Sequence, residues 1–370
     1  MMRMSETIKL GDVATYINGY AFKPEDRGDK GLPIIRIQDL TGNVYDLGFY
    51  GGEYPEKVEI NDGDVLISWS ASLGIYVWNR GKALLNQHIF KVVFDKAEID
   101  KKYFVYAVKH KLTEMASKTH GATMKHIIKK DFDATEIPYP ERECQLEIAK
   151  ILDKVNSVIE ARKKELEEFD NLIKSRFVEV FGDTVLNPFG WEKDSLGSVC
   201  DVRDGTHDSP KYYETGYPLV TSKNVTGGKI DLTDCSLICE ADFNKINERS
   251  KVDNGDIIMP MIGTVGKPVI VDIEPDFAIK NVALIKFKAD SSVLNIYIRA
   301  LLQSDYFDDA VLSKVRGGTQ KFISLGDIRK LDVLVPPMEL QNQFADFVHQ
   351  VTKLKFRYSK TINHLHIQKG

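Results

Sequence analysis

The chain has 370 residues, of which 43% are hydrophobic and 28% charged, and its formal net charge is −4. This size and composition predict a soluble globular protein with two or three hydrophobic cores. No apolar run approaches the ~18–20 residues that a membrane span needs, and the N-terminus lacks the pattern of a signal peptide. The acidic total disfavours a nucleic-acid partner unless the chain carries local basic patches.

Cysteine usage indicates a reducing compartment. The chain has four cysteines, which are too few and too scattered for a disulfide framework: Cys144, Cys200, Cys235 and Cys239. Cys235 and Cys239 are close in sequence, but no second pair of Cys or His residues stands beside them, which disfavours a zinc site. We therefore expect a cytoplasmic protein that binds no metal and does not enter the membrane.

The first half of the chain, residues 1–140, predicts a β-rich domain. Turn residues at Asn61-Asp62-Gly63-Asp64 precede a β-branched run, a pattern typical of a turn followed by a strand. Further strands are expected at Ile75 to Trp78 and at His88 to Phe94, followed by a helix from Lys101 to about Ser117. A Gly-Ala-Thr segment at 121–123 and a last strand ending at 138–140 complete this half.

A long central helix is predicted for residues 141–182. Neither Pro nor Gly interrupts the sequence between Arg142 and Phe181. At ~1.5 Å per residue, a helix of about 40 residues is about 60 Å long. Its inward positions alternate in steps of four and three, and they are Ile148, Leu152, Val155, Ile159, Arg162, Leu166, Phe169 and Ile173. This heptad seam predicts a partner helix along its length.

The second half repeats the first. Leu196-Gly197-Ser198-Val199 corresponds to Leu10-Gly11-Asp12-Val13, so we predict a second domain over residues 183–337. Its strands are expected at Pro268 to Val271 and Val282 to Phe287, and its helix from Val293 to about Val315. Residues 338–370 then repeat the seam, with Phe344, Val348, Val351, Lys355, Tyr358, Ile362 and Leu365. A repeat of this size indicates a duplicated domain.

These motifs resemble the specificity subunit of type I restriction–modification systems. The family pattern includes Leu-Gly-Asp-Val near the start, Pro-Ile-Ile-Arg-Ile-Gln-Asp-Leu at 33–40, Gly-Asp-Val-Leu-Ile-Ser at 63–68, Gly-(Ala/Gly)-Thr, and Pro-Pro-x-x-x-Gln at 336–341. The pattern occurs twice and covers nearly the whole chain. Residues 140–143 depart from the Pro-Pro form, and the closing segment after the last helix is shorter than usual.

The resemblance implies an α+β fold. Two duplicated β-rich α/β target-recognition domains would be separated by two long antiparallel coiled-coil helices, related by a pseudo-twofold axis. In the family, these helices set the distance between the domains and dock two methyltransferase subunits, and restriction subunits can join them. The resemblance also implies double-stranded DNA as a partner.

Motifs of catalysis are weak in this sequence. Asn187-Pro188-Phe189-Gly190 is one step from the Asn-Pro-Pro-Tyr type motif of adenine methyltransferases, but no Gly-x-Gly turn in a βαβ context accompanies it. The sequence also lacks a phosphate-binding loop of the Gly-x-x-x-x-Gly-Lys-Ser/Thr type. The Asp residues of the 62–64 and 253–256 turns recur before strands, where Asp and Asn commonly serve turns. We therefore assign no catalytic residue and no cofactor.

Two basic clusters supply the local patches that DNA binding requires. Residues 109–130 contain six Lys and three His with Glu114 as the single acid, and residues 314–330 contain five Lys or Arg with Asp327 as the single acid. Both clusters surround the Gly-Thr segment of their half. Because phosphate contacts supply most non-specific affinity, recurrence in both halves favours DNA binding over a merely solvated surface.

Base recognition requires side chains that differ between the halves on a shared framework. Arg36 and Gln38 correspond to Thr221 and Lys223, and residues 86–88 correspond to 280–282. Arg and Lys suit guanine, whereas Asn and Gln suit adenine. The DNA-binding candidates in the first half are Arg36, Gln38, Trp69, Asn86, Gln87, His88, Thr123, Lys125, Lys129 and Lys130. Those in the second half are Thr206, His207, Lys211, Lys223, Lys280, Asn281, Arg316, Thr319 and Lys321.

The sequence thus predicts a non-catalytic DNA-recognition subunit that reads a bipartite, asymmetric target. Two other classes stay open. One is an enzyme, a fused methyltransferase or endonuclease, which would bind S-adenosylmethionine. The other is a coiled-coil scaffold or inhibitor that does not read DNA, and sequence-selective DNA binding would exclude it.

Overall fold

The computed structural model describes residues 6–42, 47–117, 126–262, 265–310 and 322–367. The chain divides into two compact units, residues 1–160 with 364–370 and residues 161–363, so one boundary lies inside each of the two long helices. Within the described ranges, no helix combines the length and the apolar character that crossing a membrane requires.

The first unit contains ten strands among its described residues. They are β1 (Thr7–Lys9), β2 (Thr15–Asn18), β3 (Leu32–Ile35), β4 (Phe49–Tyr50), β5 (Glu59–Ile60), β6 (Val65–Ser68), β7 (Gly74–Val77), β8 (Ala83–Leu85), β9 (Ile89–Val93) and β10 (Glu136–Pro138). The helices are α1 (Leu10–Val13), α2 (Ile37–Leu40), α3 (Lys101–Ser117), α4 (Lys129–Asp133) and the central α5 (Arg142–Phe181), with 3-10 turns at Pro24–Asp26 and Glu56–Val58.

Two four-stranded sheets form the body of the first unit. One has the order β2-β9-β6-β7 and is antiparallel throughout. The other has the order β4-β3-β8-β5, in which β3 and β8 are parallel. The main core lies where the first of these sheets packs against α1, α3 and α4, through Leu10, Val65, Phe104 and Phe132. Ile148 and Ala149 of α5 pack against the same core, so the central helix begins as part of this unit.

The second unit repeats this order. Its strands are β11 (Glu192–Ser195), β12 (Asp201–Asp204), β13 (Tyr217–Val220), β14 (Val225–Thr226), β15 (Lys229–Ile230), β16 (Ser236–Ile238), β17 (Ile257–Pro260), β18 (Val269–Ile270), β19 (Ala278–Ile279), β20 (Val282–Lys286) and β21 (Asp332–Val335). Its helices are α6 (Leu196–Val199), α7 (Glu240–Ser250), α8 (Asn295–Leu301), α9 (Asp305–Ala310), α10 (Leu325–Arg329) and α11 (Met338–Ile367), with a 3-10 turn at Ser222–Asn224.

The duplication predicted from sequence is confirmed by the sheet topology. The order β12-β20-β17-β18 reproduces the antiparallel sheet of the first unit, and β16-β13-β19 reproduces three of the four strands of the mixed sheet, with the parallel pair β13–β19. In both units a strand at the start of the domain pairs with the strand before the long helix, β1 with β10 and β11 with β21. In each domain the first and last strands therefore pair with each other before the long helix begins.

One predicted helix is wrong in extent. The sequence predicted a single helix from Val293 to about Val315, but the structure forms α8 and α9 with a break at residues 302–304. The helix ends in a turn with hydrogen bonds between residues three apart. Ser304 N–H donates to Leu301 O at 3.2 Å, and the Ser304 hydroxyl donates to the same oxygen at 2.6 Å. Residues 311–315 of this prediction lie outside the described ranges.

Within the second unit, the far part of α5 pairs with α11. The rings of Phe177 and Phe344 are 5.7 Å apart, and those of Phe169 and Tyr358 are 5.4 Å apart. Residue numbers fall on α11 as they rise on α5, so the two helices run antiparallel. The Lys355 ammonium adds an ion pair with Asp170 at the same contact. The pairing confirms the predicted heptad seam for this part of α5, whereas Ile362 and Leu365 have no described side chains.

A buried glutamine secures each long helix to its own domain. Gln145 accepts a hydrogen bond from Asp100 N–H at 2.8 Å and donates to Pro140 O at 2.8 Å. Gln341 accepts from Leu294 N–H at 2.8 Å and donates to the carbonyls of Ser292 and Pro336, both at 2.9 Å. Both side chains are almost fully buried. The glutamine of the Pro-Pro-x-x-x-Gln motif thus joins the long helix to the turn before the domain helix.

We expect Gln341→Leu to lower the free energy of unfolding markedly. The substitution leaves the Leu294 N–H and two carbonyls without their partner, and a buried polar group left unpaired costs roughly 1–3 kcal/mol. Gln343→Leu is the matched control, because Gln343 is on the same helix and is exposed. Denaturant unfolding of both variants checks this, and equal effects of the two changes would contradict the anchoring role.

Candidate nucleic-acid interface

Four segments meet at the same place in each domain. In the first unit they are the end of β2, the end of β6, the turn from β8 to β9, and the segment that leads into α4. We call residues 18–20, 68–70, 86–88 and 126–133 the first interface. The corresponding second interface comprises residues 204–211, 260–262, 280–281 and 322–329. The bridges Tyr20–Asn86 and Ser70–His126, and Thr206–Lys280 and Ile262–Phe322, connect the segments in the two units.

A glycine allows the main chains of each interface to approach closely. A Cβ atom on Gly19 would lie 2.0 Å from Asn86 O, and one on Gly205 would lie 2.4 Å from Ile279 O. The Gly19 N–H donates to Ile89 O at 3.0 Å, and the Gly205 N–H donates to Val282 O at 3.0 Å. The turn beside each glycine is therefore held by backbone hydrogen bonds, whatever side chains it presents.

The turn in the first interface is one residue longer than sequence matching suggested. His88, with φ of 73°, and Asn281, with φ of 55°, occupy the same left-handed position immediately before their strands. Asn281 therefore corresponds to His88, whereas the matching in sequence placed it opposite Gln87. The matching failed because it assumed equal turns, whereas the strands that follow begin at Ile89 and Val282.

Trp69 is the centre of the first interface. Its indole Nε1 donates to Asn18 Oδ1 at 3.1 Å, and its ring meets His88 edge-on at 4.9 Å and stacks on Phe90 at 5.7 Å. The His88 Nδ1 atom is buried and has no hydrogen-bond partner among the described residues. Asn86 Oδ1 accepts from Gln87 N–H at 2.9 Å. The structure thus brings Trp69 and residues 86–88 together as predicted candidates, and it adds Asn18, which sequence reasoning missed.

The basic cluster of the first half is described only in part. Lys129 is exposed, lies 2.9 Å from both carboxylate oxygens of Asp133, and places its ammonium 5.7 Å from the centre of the Tyr16 ring. Lys130 is also exposed. Thr123 and Lys125 lie outside the described residues. Phosphate binding by this cluster stays a prediction.

Arg36 is committed to a contact within its own domain. Its Nε atom is 3.1 Å from Asp39 Oδ2, and the two side chains are 11% and 0% exposed. Asn224 replaces Asp39 in the second unit, where its Oδ1 accepts from the N–H and the hydroxyl of Thr221, both at 3.0 Å. This pair of caps stabilises the turn after β3 or β13. Gln38 is half-buried on α2, and the use of Arg36 and Gln38 as base contacts stays a prediction.

A histidine bridges two elements of the second interface. His207 Nε2 is 2.8 Å from Asp204 Oδ2, and its Nδ1 is 2.9 Å from Asn281 Oδ1. Thr206 Oγ1 accepts from Asp208 N–H at 3.1 Å and shapes the loop that carries the histidine. Lys280 Nζ donates to Ser209 Oγ at 2.7 Å. Four of the predicted residues, Thr206, His207, Lys280 and Asn281, therefore meet in one cluster.

The remaining predicted residues of the second half are less closely joined. Lys211 is exposed and lies 5.5 Å from the centre of the Tyr213 ring. Lys223 is paired with Asp234 at 3.3 Å on an exposed part of the domain. Arg316, Thr319 and Lys321 lie outside the described residues.

Sequence reasoning missed Asp204 and Arg249. The Asp204 carboxylate is 9% exposed and forms an ion pair with the Arg249 guanidinium as well as its contact with His207. The available signal was the match of Asp204 with Asn18, which are the last residues of the corresponding strands β12 and β2. Arg249 lies on α7, in an insertion that the repeat does not predict.

The two interfaces differ most where Trp69 and Met261 stand. Ile127 N–H donates to Trp69 O at 3.0 Å, and Ile323 N–H donates to Met261 O at 2.9 Å, so the two residues hold the same place. The second interface contains a cavity of about 270 Å³, lined by residues that include Asp204, His207, Met261, Asn281 and Phe322. An indole on one framework and an open cavity with an acidic and amide rim on the other make two surfaces of different chemistry.

His207 is expected to titrate above its ordinary value. Hydrogen bonds to Asn281 and then to Asp204 raise the pKa of His207 above 6.5, while burial and the Arg249 charge oppose the rise. The protonated ring therefore stabilises this cluster fully below pH 6.5, and that contribution is lost as the pH rises through the raised pKa. We predict an NMR titration midpoint for His207 above 6.5, which moves down in Asn281→Ala. A midpoint at or below 6.5 in the unmodified protein would contradict the bridging geometry.

The described fold and interfaces define a duplicated-domain protein with one differing surface on each copy. The sequence matches the type I restriction modification DNA specificity domain over residues 2–169 and again over 188–365. Because these two regions cover most of the chain, the chain belongs to this family of type I restriction–modification specificity proteins.

Curated relatives carry the same description. The chain is 24% identical to the EcoBI type I restriction enzyme specificity subunit of Escherichia coli, with 96% of this chain and 81% of the relative covered. It is 25% identical to the MjaVIII specificity subunit of Methanocaldococcus jannaschii, with 94% and 86% covered.

Solved structures support the fold. The S subunit of a type I restriction-modification system from M. genitalium matches with a TM-score of 0.50 at 15% identity, over 98% of this chain and 93% of that chain. A chain from a structural study of complex assembly and conformational transition of the type I R-M system matches with a TM-score of 0.53 at 19% identity, over 100% and 96%.

Proposed function

We propose that this chain is the DNA-recognition subunit of a type I restriction–modification complex and performs no catalytic step itself. Its partners would be double-stranded DNA, two methyltransferase subunits and, in systems that have them, restriction subunits. The recognition domains would comprise residues 1–140 and 183–337, and the long helices 141–182 and 338–370 would separate them and dock the partners.

One observation carries this proposal. The two interfaces share a main-chain framework but present different side chains: Asn18, Trp69 and His88 stand where the second unit has Asp204, Met261 and Asn281. A protein that reads one half-site with each domain needs a constant framework and variable contacts, because backbone geometry sets the register and side chains read base edges. The difference between the interfaces supports two unlike half-sites and hence an asymmetric target.

The test is co-expression with the methyltransferase encoded beside it, followed by genome-wide mapping of methylated adenines. We expect one bipartite motif with two unlike halves separated by a spacer of fixed length. Methylation that requires the methyltransferase but not this chain would overturn the proposal, as would a motif with a single part. S-adenosylmethionine binding by the isolated chain would favour the enzyme class instead.

A further inference from the structure

We propose that Arg249 reads a guanine in the half-site bound by the second domain. This proposal rests on the proposed function, since it names a contact that a DNA-recognition subunit would make. Arg249 stands in the last turn of α7, which follows β16. After β4, the first unit has only the short 3-10 turn Glu56–Val58 in its described residues 51–58. The contact would therefore belong to the second domain alone.

Two adjacent residues of strand β12 hold Arg249 in place. The buried Asp204 carboxylate pairs with the Arg249 guanidinium through Nη2. Arg203 Nη1 donates to the main-chain oxygen of Arg249 at 2.8 Å, and Arg203 is itself paired with Asp201 at 2.6 Å. The side chain and the main chain of Arg249 are thus both oriented before any ligand arrives. Such preorganisation reduces the ordering cost of binding.

Most of the Arg249 side chain still faces solvent. It is 65% exposed, although one of its terminal nitrogens bonds Asp204. A guanidinium has five N–H donors in a planar fork, so donors remain for a second planar partner. The buried Asp204 carboxylate thus binds one side of the guanidinium, and the remaining N–H donors are available to a ligand from solvent.

The neighbouring basic groups are less suited to this role. Both ring nitrogens of His207 are occupied, by Asp204 at 2.8 Å and by Asn281 at 2.9 Å. The Lys280 ammonium donates to Ser209, and an ammonium offers point contacts rather than a fork. His207 is therefore a positioning residue that shares Asp204 with Arg249.

Guanine is the base that matches a presented guanidinium. Its O6 and N7 acceptors lie side by side in the major groove and receive two parallel N–H bonds from arginine. The first interface has no such pair at this place, because Asn18 replaces Asp204 and accepts from the Trp69 indole. We therefore expect a guanine contact of this Arg–Asp kind in the half-site of the second domain.

The test uses the assembled complex with its methyltransferase. The half-site of the second domain is first assigned by domain exchange, and it must contain a G·C pair. Duplexes varied at each of its positions are then compared for binding. In Arg249→Ala, the preference for that G·C pair over other pairs should fall by about 5- to 150-fold, with preferences at other positions unchanged.

Two further variants make the result decisive. Arg249→Lys keeps a cation beside Asp204 without the two parallel donors of a guanidinium, so it should lose the same G·C preference while retaining more total affinity. If Arg249→Ala proves less stable, Arg249→Lys alone tests the guanine contact. Lys245→Ala removes an exposed charge from the same helix and should leave every preference intact.

Three outcomes would overturn the proposal: an unchanged preference in Arg249→Lys, an even loss of affinity across all sequences, which identifies a phosphate contact, or a half-site without guanine. A parent complex that binds all sequences alike would instead mean that the proposed function fails.

Discussion

Exchanging the second domain for that of a relative should replace one half of the methylated motif and leave the other half unchanged. We expect the half-site of the second domain to be replaced entirely, because every described contact that builds the second interface comes from residues between Asp201 and Arg329. Neither interface draws a described hydrogen bond from the other unit. Mapping of methylated adenines in cells that express the chimaera measures the result.

The structure also defines the junctions for this exchange. Replacement of residues 195–337 would separate β11 from its partner β21, whose register pairs Glu192 with Val335. A junction at residue 191 moves both strands together. The donor must also accept Phe177 and Phe181 of α5, which pack on Tyr297 in the core of the second unit.

The matched control is exchange of residues 6–139, which should change the other half of the motif. Replacement of both halves by either single exchange would show that the domains do not read independently. An unchanged motif would show that base recognition lies outside the exchanged residues.

Lengthening the two long helices together should lengthen the spacer of the motif. Seven residues inserted in each helix add about 10 Å at ~1.5 Å per residue, about the rise of three base pairs, and they nearly preserve the heptad phase. Both half-sites should be retained and separated by about three more base pairs. Methylation mapping again gives the readout.

The helix pairing fixes where the insertions belong. Arg162 and Phe169 both contact the ring of Tyr358, at 4.6 and 5.4 Å, so an insertion after Glu165 is matched by one beside Tyr358. The same insertion in α5 alone is the control; it shifts the seam against α11 and should abolish methylation. A doubly extended protein that is active at the original spacer would show that these helices do not set the distance.

The sequence predicted what repeats or follows local periodicity. The duplicated domains, both long helices and the positions of the turns in the two interfaces follow from the spacing of apolar residues and of Gly and Asp in turns. Trp69 and His207 became candidates because they differ from the residues at the matching positions of the other half. These signals require no knowledge of which distant residues meet.

What the sequence could not predict depends on long-range contacts between side chains. The hydrogen bond from Trp69 to Asn18 joins the residue after β6 to the end of β2, and neither residue type predicts this contact. Arg249 was missed because it lies in an insertion without a counterpart, and its meaning depends on Asp204, which is distant in sequence. The commitment of Arg36 to a buried Asp39 likewise appears only once the turn is folded.

The glycine-mediated approach of Gly19 to residue 86, and of Gly205 to residue 279, has a consequence for how such proteins diversify. Since main-chain hydrogen bonds hold the turn of each interface, we expect that solvent-facing side chains of the turn can be replaced while the domain still folds. Mutational tolerance and new preference then reside at the same few positions. A library randomised at residues 86 and 87 with Gly19 and the left-handed His88 retained should yield many folded members, whereas one that keeps residues 86–88 and replaces Gly19 should yield few.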